Sequence, residues 1–304
     1  MLDIALLGTG GMMPLPNRWL TSLLVRLNGR MILLDCGEGT QVTAKLMGWG
    51  FINIDVILIT HFHADHISGL PGMLLMIGNS GRTEPLKIIG PKGLRAVVGG
   101  LRVIAPVLPF EIELVEIEGD RFETELCGLN IKALKLNHRV PCYGYSFELF
   151  RKGRFSPERA KENDILLKYW SKLQKEGRVI TDEGRVLTSD MVLGPDRKGL
   201  KVCYTTDTRP TEEIPDFIRG ADLFICEGMY GDGEKLEKVT EKKHMLFSEA
   251  AKLAADGEVK ELWLTHYSPA LMNPKAEVGA ARAVFKNTKA AADRYNITLK
   301  FQDE

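Results

Sequence analysis

The 304-residue chain has no CxxC pair, no net charge, and no apolar run near the ~18 residues that a membrane span requires. Its five cysteines, at positions 36, 127, 142, 203 and 226, are odd in number and scattered. That spacing fits reduced, mostly buried thiols better than a disulfide framework or a four-cysteine zinc site. Forty basic residues balance forty acidic ones, so any grip on a polyanion must come from a local basic patch or a metal site. A generic nucleic-acid coat protein is thereby excluded. The opening MLDIALLGTGG carries Asp3 where a secretory signal would carry a positive charge. These absences set the expectation of a cytoplasmic protein with no membrane partner. Trp19, Trp49, Trp170 and Trp263 are dispersed and announce no base-stacking platform. The glycine-rich LLGTGG at 6–11 lacks the GxGxxG spacing of a nucleotide loop and reads as a tight turn after the first strand.

What is present is globular: 44% hydrophobic and 26% charged residues, without repeats or low-complexity tracts. Short apolar runs read as strands at 2–8, 22–27, 31–37, 55–60, 86–90, 130–136, 143–149, 200–206, 221–227 and 261–266. Several are continuously apolar, which suggests strands covered on both faces. Helical spacing appears at 40–49, at 248–257 with Ser248 as N-cap and Gly257 as stop, and at 276–295. This mixture predicts an α/β protein with layered sheets. Residues 151–200 differ, with twelve basic residues against eight acidic ones. They read either as a solvated connector with a hairpin or as a protruding basic module that grips a substrate.

Three of the six histidines fall in one hexapeptide, His61-Phe62-His63-Ala64-Asp65-His66, directly after the apolar run DVILIT. Alternation along a strand end lets His61 and His63 face one ion, while Asp65 and His66 reach another. Imidazole with carboxylate is the ligand mix of Zn²⁺ and its neighbours. Three further polar residues each end an apolar run: His138 after NIKALKLN, Asp207 after LKVCYTT and His266 after ELWLT. Alone, each could be a hydrogen-bonded core residue. Together with the hexapeptide they make seven ligands, which with one bridging carboxylate suit two metals.

Glu227 ends the run ADLFIC, and His244 opens a helix in this reading. They could be a strand-end carboxylate and an ordinary helix-start residue. They could instead form a general acid, because a carboxylate orients an imidazole and favours its protonated form. A helix dipole would lower the histidine pKa, so the carboxylate partner matters.

With these residues in hand, the chain resembles the metallo-β-lactamase superfamily and, within it, the ribonuclease Z family. The likeness runs through LLGTGG, TSLLVRL, LLDCGEGTQ, ITHFHADHISGLPGML, LNHRVPCYGY, YTTDTRP, ADLFICEG and LWLTHYSP, in that order. HxHxDH marks only the superfamily; LDCGEGTQ, HISGLPG, HRVPCYGY and the late His244 and His266 narrow it. The resemblance implies one domain over 1–304 with 151–200 as an inserted basic arm. It implies a four-layer αβ/βα sandwich of two mixed sheets flanked by helices. The implied activity is a dinuclear zinc phosphodiesterase that removes the 3′ trailer from precursor tRNA by attack of a metal-bound hydroxide. Mn²⁺ or Fe²⁺ are alternatives to Zn²⁺. The implied ligands are His61, His63, Asp65, His66, His138, Asp207 and His266, with Asp65 also a proton acceptor and Glu227 and His244 the leaving-group acid. Arg18, kept from the family's proline-arginine loop, is implied to touch substrate. A homodimer is implied, its arm reaching substrate on the partner. The chain departs from the family at Cys226-Glu227-Gly228-Met229, where His-Glu-Ala-Thr is usual, and at Met245-Leu246, where Ser-Thr is usual. Alternatives are a phosphodiesterase or hydrolase of another small substrate, and a non-catalytic RNA-binding scaffold.

Overall fold

Strand β1 (Leu2–Gly8) is paired on one side by β2 (Ser22–Leu27), which turns back into β3 (Arg30–Leu34). Parallel crossovers then add β4 (Ile54–Leu58), β5 (Leu86–Pro91) and β6 (Ile112–Ile117). The chain next lays down an antiparallel meander, β7 (Arg121–Leu126), β8 (Leu129–Lys135) and β9 (Tyr143–Arg151). A short hairpin follows, β10 (Arg178–Ile180) and β11 (Val186–Thr188). Then come the parallel strands β12 (Arg197–Thr205), β13 (Leu223–Glu227), β14 (Leu262–Thr265) and β15 (Thr288–Ala290), and finally β16 (Asn296–Leu299). The result is two mixed seven-stranded sheets, ordered β16-β1-β2-β3-β4-β5-β6 and β15-β14-β13-β12-β9-β8-β7. The structure is a computed structural model that describes residues 1–234 and 236–302.

Each sheet carries helices on its outer face. Met31 and Leu33 of β3 pack in one apolar core with Ala44, Leu70, Met73, Leu74, Ile77, Leu94 and Val98, from the helices Thr40–Met47, Leu70–Asn79 and Leu94–Leu101. Ile32 and Leu34, on the opposite face of the same strand, are equally buried but face away from that core. In the second sheet Phe224 and Cys226 of β13 pack against Ile214, Ile218, Phe247, Ala250, Ala251 and Ala281, from the helices Glu213–Ile218, Phe247–Asp256 and Gly279–Val284. Leu223 and Ile225 point the other way and are buried too. Strands buried on both faces mean two sheets stacked between two helical layers. The sheets meet directly: the Tyr145 hydroxyl of β9 donates to the Ile59 carbonyl at 2.9 Å. Four layers are therefore present, as the resemblance implied.

Two readings change. The segment 276–295 is not one helix. Instead, the short helices Pro274–Glu277 and Gly279–Val284 give way to extended backbone at Phe285 and then to β15. The edge of the second sheet decides this, because β14 offers backbone groups that need partners. Asn287 accepts through its carbonyl from the Leu262 amide, and Ala291 donates through its amide to the Leu264 carbonyl. Ser248 is not an N-cap either: the helix starts one residue earlier, at Phe247, and the Leu246 amide is held by the Glu249 carboxylate at 2.9 Å. Strands β6 and β7 have only a half-buried, charged pattern and escaped the apolar-run reading.

Residues Leu149–Gly199 form one compact unit, and the chain on either side of them forms the other. The smaller unit has an apolar core of its own, built from Ala160, Ile165, Leu173, Val179, Leu187 and Val192. Its helices Pro157–Glu162 and Leu167–Glu176 and the β10–β11 hairpin enclose that core. Among the described residues, no helix is long and apolar enough to cross a membrane.

Candidate metal centre

Parallel register brings the chemistry to one sheet edge. Leu34 of β3 pairs with Leu58 of β4, so Asp35 and the segment Thr60–His61 leave the first sheet side by side. Thr205 of β12 pairs with Cys226 of β13, and Glu227 pairs with Thr265 of β14. Asp207, Glu227 and His266 consequently leave the second sheet together, at the carboxyl ends of its parallel strands, the usual place for a site in such sheets. His138 follows β8, and the Tyr143 amide that opens β9 donates to the Thr60 carbonyl at 3.0 Å, which ties the two edges together.

The hexapeptide runs off β4 in extended form until His63, which precedes the single-turn helix Ala64–Ile67. Its close approach to neighbouring backbone explains two glycines of the surrounding motifs. A Cβ at Gly37 would lie 2.3 Å from the Asp65 carbonyl oxygen, and one at Gly69 would lie 2.3 Å from that of Gly37. The GTGG segment is likewise part of the site. A Cβ at Gly11 would meet the His266 ring at 2.7 Å, and the Met12 amide donates to Asp65 Oδ2 at 2.7 Å.

The seven predicted ligands converge in two groups. In the first, His61 Nε2 lies 3.0 Å from His63 Nδ1, and His138 Nε2 lies 3.4 Å from that same atom. Asp207 Oδ2 stands 3.7 Å from both His61 Nε2 and His138 Nε2. In the second, His266 Nε2 lies 3.1 Å from His66 Nε2 and 3.2 Å from Asp65 Oδ2. Asp207 Oδ1 stands 3.2 Å from His66 Nε2 and 3.1 Å from His266 Nε2. Asp207 thus turns one oxygen to each group. Three imidazole nitrogens with a carboxylate oxygen, and two more with two carboxylate oxygens, are the donor chemistry of divalent ions such as zinc and its neighbours. The cluster fits divalent metal.

The electrostatics of His61 and His138 agree with that fit, whereas the carboxylates around His66 favour its charged form. Burial and the neighbouring imidazoles outweigh Asp207 and depress His61 well below the usual histidine value. Burial likewise lowers His138, to about 4. Both are therefore neutral at pH 7, with a lone pair available for an ion. His66 goes the other way despite complete burial, because Asp207, Asp35 and Asp65 all face it. Asp65 and Asp207 stay ionised although burial opposes it, since the surrounding histidines hold their carboxyls well below the ordinary range.

Asp35 is a residue of the cluster's surroundings that sequence reading missed. It adopts φ +56° just past β3, and its carboxylate is fully buried. It accepts from the Thr60 amide and Thr60 hydroxyl, both at 2.8 Å, and faces His66 Nδ1 at 2.7 Å. That last contact fixes the proton on Nδ1 and turns Nε2 to the cluster, the device by which carboxylates orient metal-binding histidines. The only signal in the sequence was an acid closing the apolar run MILLDCG. Asp35→Ala is expected to cost about 2–4 kcal/mol in urea unfolding, from buried donors left unpaired. Metal affinity in titration should drop about 10–100-fold.

Glu227 and His244 stand beside the cluster. Glu227 is fully buried, and its Oε2 lies 3.1 Å from His244 Nδ1, while Oε1 accepts from the Thr208 amide at 2.5 Å. His244 does not open a helix; it lies in the connection between the helices Leu236–Lys242 and Phe247–Asp256. Burial works against its charge, but the Glu227 carboxylate, with Asp207 and Asp65 behind it, lifts its pKa to about 9. With Nδ1 engaged by Glu227, Nε2 is left for the cleft. Arg18 is not brought into the cluster. Its guanidinium donates to the carbonyls of Leu271 at 2.8 Å and Met272 at 3.0 Å, with a longer contact to that of Ser268, so Nη1 and Nη2 hold a loop. All five cysteines are free and all but the half-buried Cys127 are buried.

Comparison with known proteins places this geometry in context. Residues 2–98 match the family described as anti-Pycsar protein Apyc1. Over its full length the chain is 54% identical to the ribonuclease Z of Lachnoclostridium phytofermentans, covering 99% of each. It is 55% identical to that of Agathobacter rectalis and 53% identical to that of Clostridium kluyveri, covering 100% of each. Among solved structures, human tRNase Z, short form, superposes with a TM-score of 0.71 at 24% identity, over 98% of this chain and 100% of that one. The metallo-β-lactamase fold protein YhfI from Bacillus subtilis superposes with a TM-score of 0.69 at 19% identity, over 97% and 98%. Two seven-stranded sheets, a metal-type cluster at their common edge and full-length identity above one half all agree: the chain belongs to the ribonuclease Z family and has the metallo-β-lactamase fold.

Proposed function

We propose that the chain is a dinuclear zinc endoribonuclease that removes the 3′ trailer from precursor tRNA. One ion would be held by His61, His63, His138 and Asp207, and the other by Asp65, His66, His266 and Asp207; the same ligands accept Mn²⁺ or Fe²⁺. Bound there, divalent ions supply Lewis acidity, which acidifies water and screens the charge of a phosphodiester.

The observation that carries a polyanionic substrate is the charge of the cleft over the cluster. This cleft, of about 550 Å³, is lined by Arg139, Lys238 and Lys242 besides the ligands, and the carboxylates lining it are Asp65 and Asp207. Phosphates flanking the cut bond would meet cations on every charged wall that is not itself a ligand. His244, protonated at neutral pH by its Glu227 partner, lies in the same cleft and donates a proton to the departing 3′ oxygen. Asp65, held by the Met12 amide, serves as proton acceptor. A ribose alkoxide is a poor leaving group, whereas acyl leaving groups depend less on such an acid, which favours the phosphodiester. Arg18 holds the loop 268–272 through its guanidinium. The basic insert 151–200 supplies further phosphate contacts. The enzyme works in the cytoplasm, as a homodimer, with the rest of the chain as one catalytic domain.

The test is cleavage of precursor tRNA by purified protein with and without chelator. Release of an intact 3′ trailer that stops on chelation and returns with Zn²⁺ supports the reading; hydrolysis of a thioester in preference to RNA defeats it. The double variant Lys238→Gln/Lys242→Gln should raise KM for precursor tRNA several-fold. It should also flatten the salt dependence of binding.

A further inference from the structure

We propose that Arg209 is a positioning residue that fixes His244 for its role as leaving-group acid, an inference that rests on the assignment of His244 above. His244 lies between two helices, directly after Lys243, whose φ is +56°. No regular backbone ladder sets its orientation. Instead it is held at three points. Its amide donates to the Val239 carbonyl at 3.1 Å, its Nδ1 faces Glu227, and its carbonyl accepts from Arg209 Nη1 at 2.6 Å. Fixing the carbonyl fixes the peptide plane, and with Nδ1 held the ring has no freedom left to turn Nε2 away from the cleft.

The guanidinium is itself locked. Nη1 donates to Glu249 Oε2 at 2.8 Å and Nη2 to Glu249 Oε1, a bidentate pair whose side chains are only 16% and 22% exposed. The Glu249 Oε2 atom also accepts from the Leu246 amide, so the pair clamps the connection on both sides of Met245. Lysine has the charge but not the planar fork, and cannot serve both His244 and Glu249 in this geometry.

Arg209 also stands two residues past Asp207, and its amide donates to the carbonyl of Asn137, the neighbour of His138, at 3.1 Å. These ties to the ligand loops are made by the backbone. Exchange of the side chain leaves them intact, so the acid can be mispositioned while the metal ligands stay in place.

Arg209→Met, Arg209→Lys, Glu249→Gln and His244→Ala are compared on precursor tRNA and on bis-p-nitrophenyl phosphate, whose nitrophenolate departs without a proton. Bound metal and circular dichroism are recorded for each. Arg209→Met is expected to lower kcat on precursor tRNA about 10–100-fold, part of the ~10²–10⁴-fold that a general acid supplies. KM should change less than twofold, metal content should hold, and activity on the nitrophenyl ester should fall less than twofold. Arg209→Lys and Glu249→Gln should show a weaker form of the same pattern, and Arg209→Met should have no additional effect in a His244→Ala background. Equal reductions on both substrates, release of metal, or an unchanged kcat on RNA would overturn the positioning role. If His244→Ala itself spares trailer cleavage, the acid assignment beneath the proposal fails, and that result is separable from the others.

Discussion

Asp207→Asn should empty both halves of the metal centre and reduce RNA cleavage by at least about 10⁴-fold, the largest effect expected of any single change in this chain. The reason is geometric. One carboxylate faces His66 and His266 through Oδ1 and His61 and His138 through Oδ2. Asparagine keeps the size but removes the negative charge and one of the two oxygen donors, so neither ligand group remains complete. In the proposed assignment every other ligand belongs to one group. Removal of His138, for example, leaves Asp65, His66, His266 and Asp207 as they were. Elemental analysis after dialysis against limiting Zn²⁺ separates the two outcomes: metal near zero for Asp207→Asn, and a residual ion near one equivalent for His138→Ala. Retention of two equivalents by Asp207→Asn would show that Asp207 is not shared. Such large effects are the scale on which metal catalysis operates, since water activation and charge neutralisation disappear together.

The second large effect is expected at the acid pair. His244→Ala should lower trailer cleavage about 10²–10⁴-fold, the usual span for a general acid, while two equivalents of metal remain bound. Loss of metal would make His244 a ligand and reverse the assignment. Glu227→Gln gives the complementary test, through pH. Glu227 lifts His244 from 6.5 to about 9, so the proton is held more tightly in the folded chain than in the unfolded one. The stabilisation this brings is complete below pH 6.5 and is lost as pH rises through about 9. In Glu227→Gln the alkaline limb of the kcat profile should therefore move to lower pH, and the difference in stability from the parent chain should shrink as pH rises. An alkaline limb that stays in place would mean that another group carries the proton.

Some of this was open to a reader of residues alone. The hexapeptide from His61 to His66 is local, and four potential ligands within it leave little room for a packing explanation. Apolar runs ending in His138, Asp207 and His266 told of strand tips, and continuous rather than alternating runs told of sheets covered on both faces. Where periodicity was ambiguous the reading failed. The alanine-rich 276–295 has helical spacing, yet Thr288–Ala290 pairs in parallel with β14 because a sheet edge offers backbone partners that an isolated helix end does not. Moreover, Asp293, which sequence placed in mid-helix, accepts from the Thr9 and Trp19 amides and so anchors the loop that leads to Met12.

The sequence determined which histidines and aspartates could gather, the α/β layering and the presence of a carboxylate–imidazole pair, because each is written in adjacent residues or in local patterns of burial. Only the tertiary structure decided that Asp207 divides its oxygens between two groups, that Asp35 orients His66 from 31 residues away, and that Arg209 grips the His244 carbonyl from 35 residues away. These contacts depend on which strands lie side by side and in what register. That is settled by the packing of two whole sheets, not by any segment of the chain.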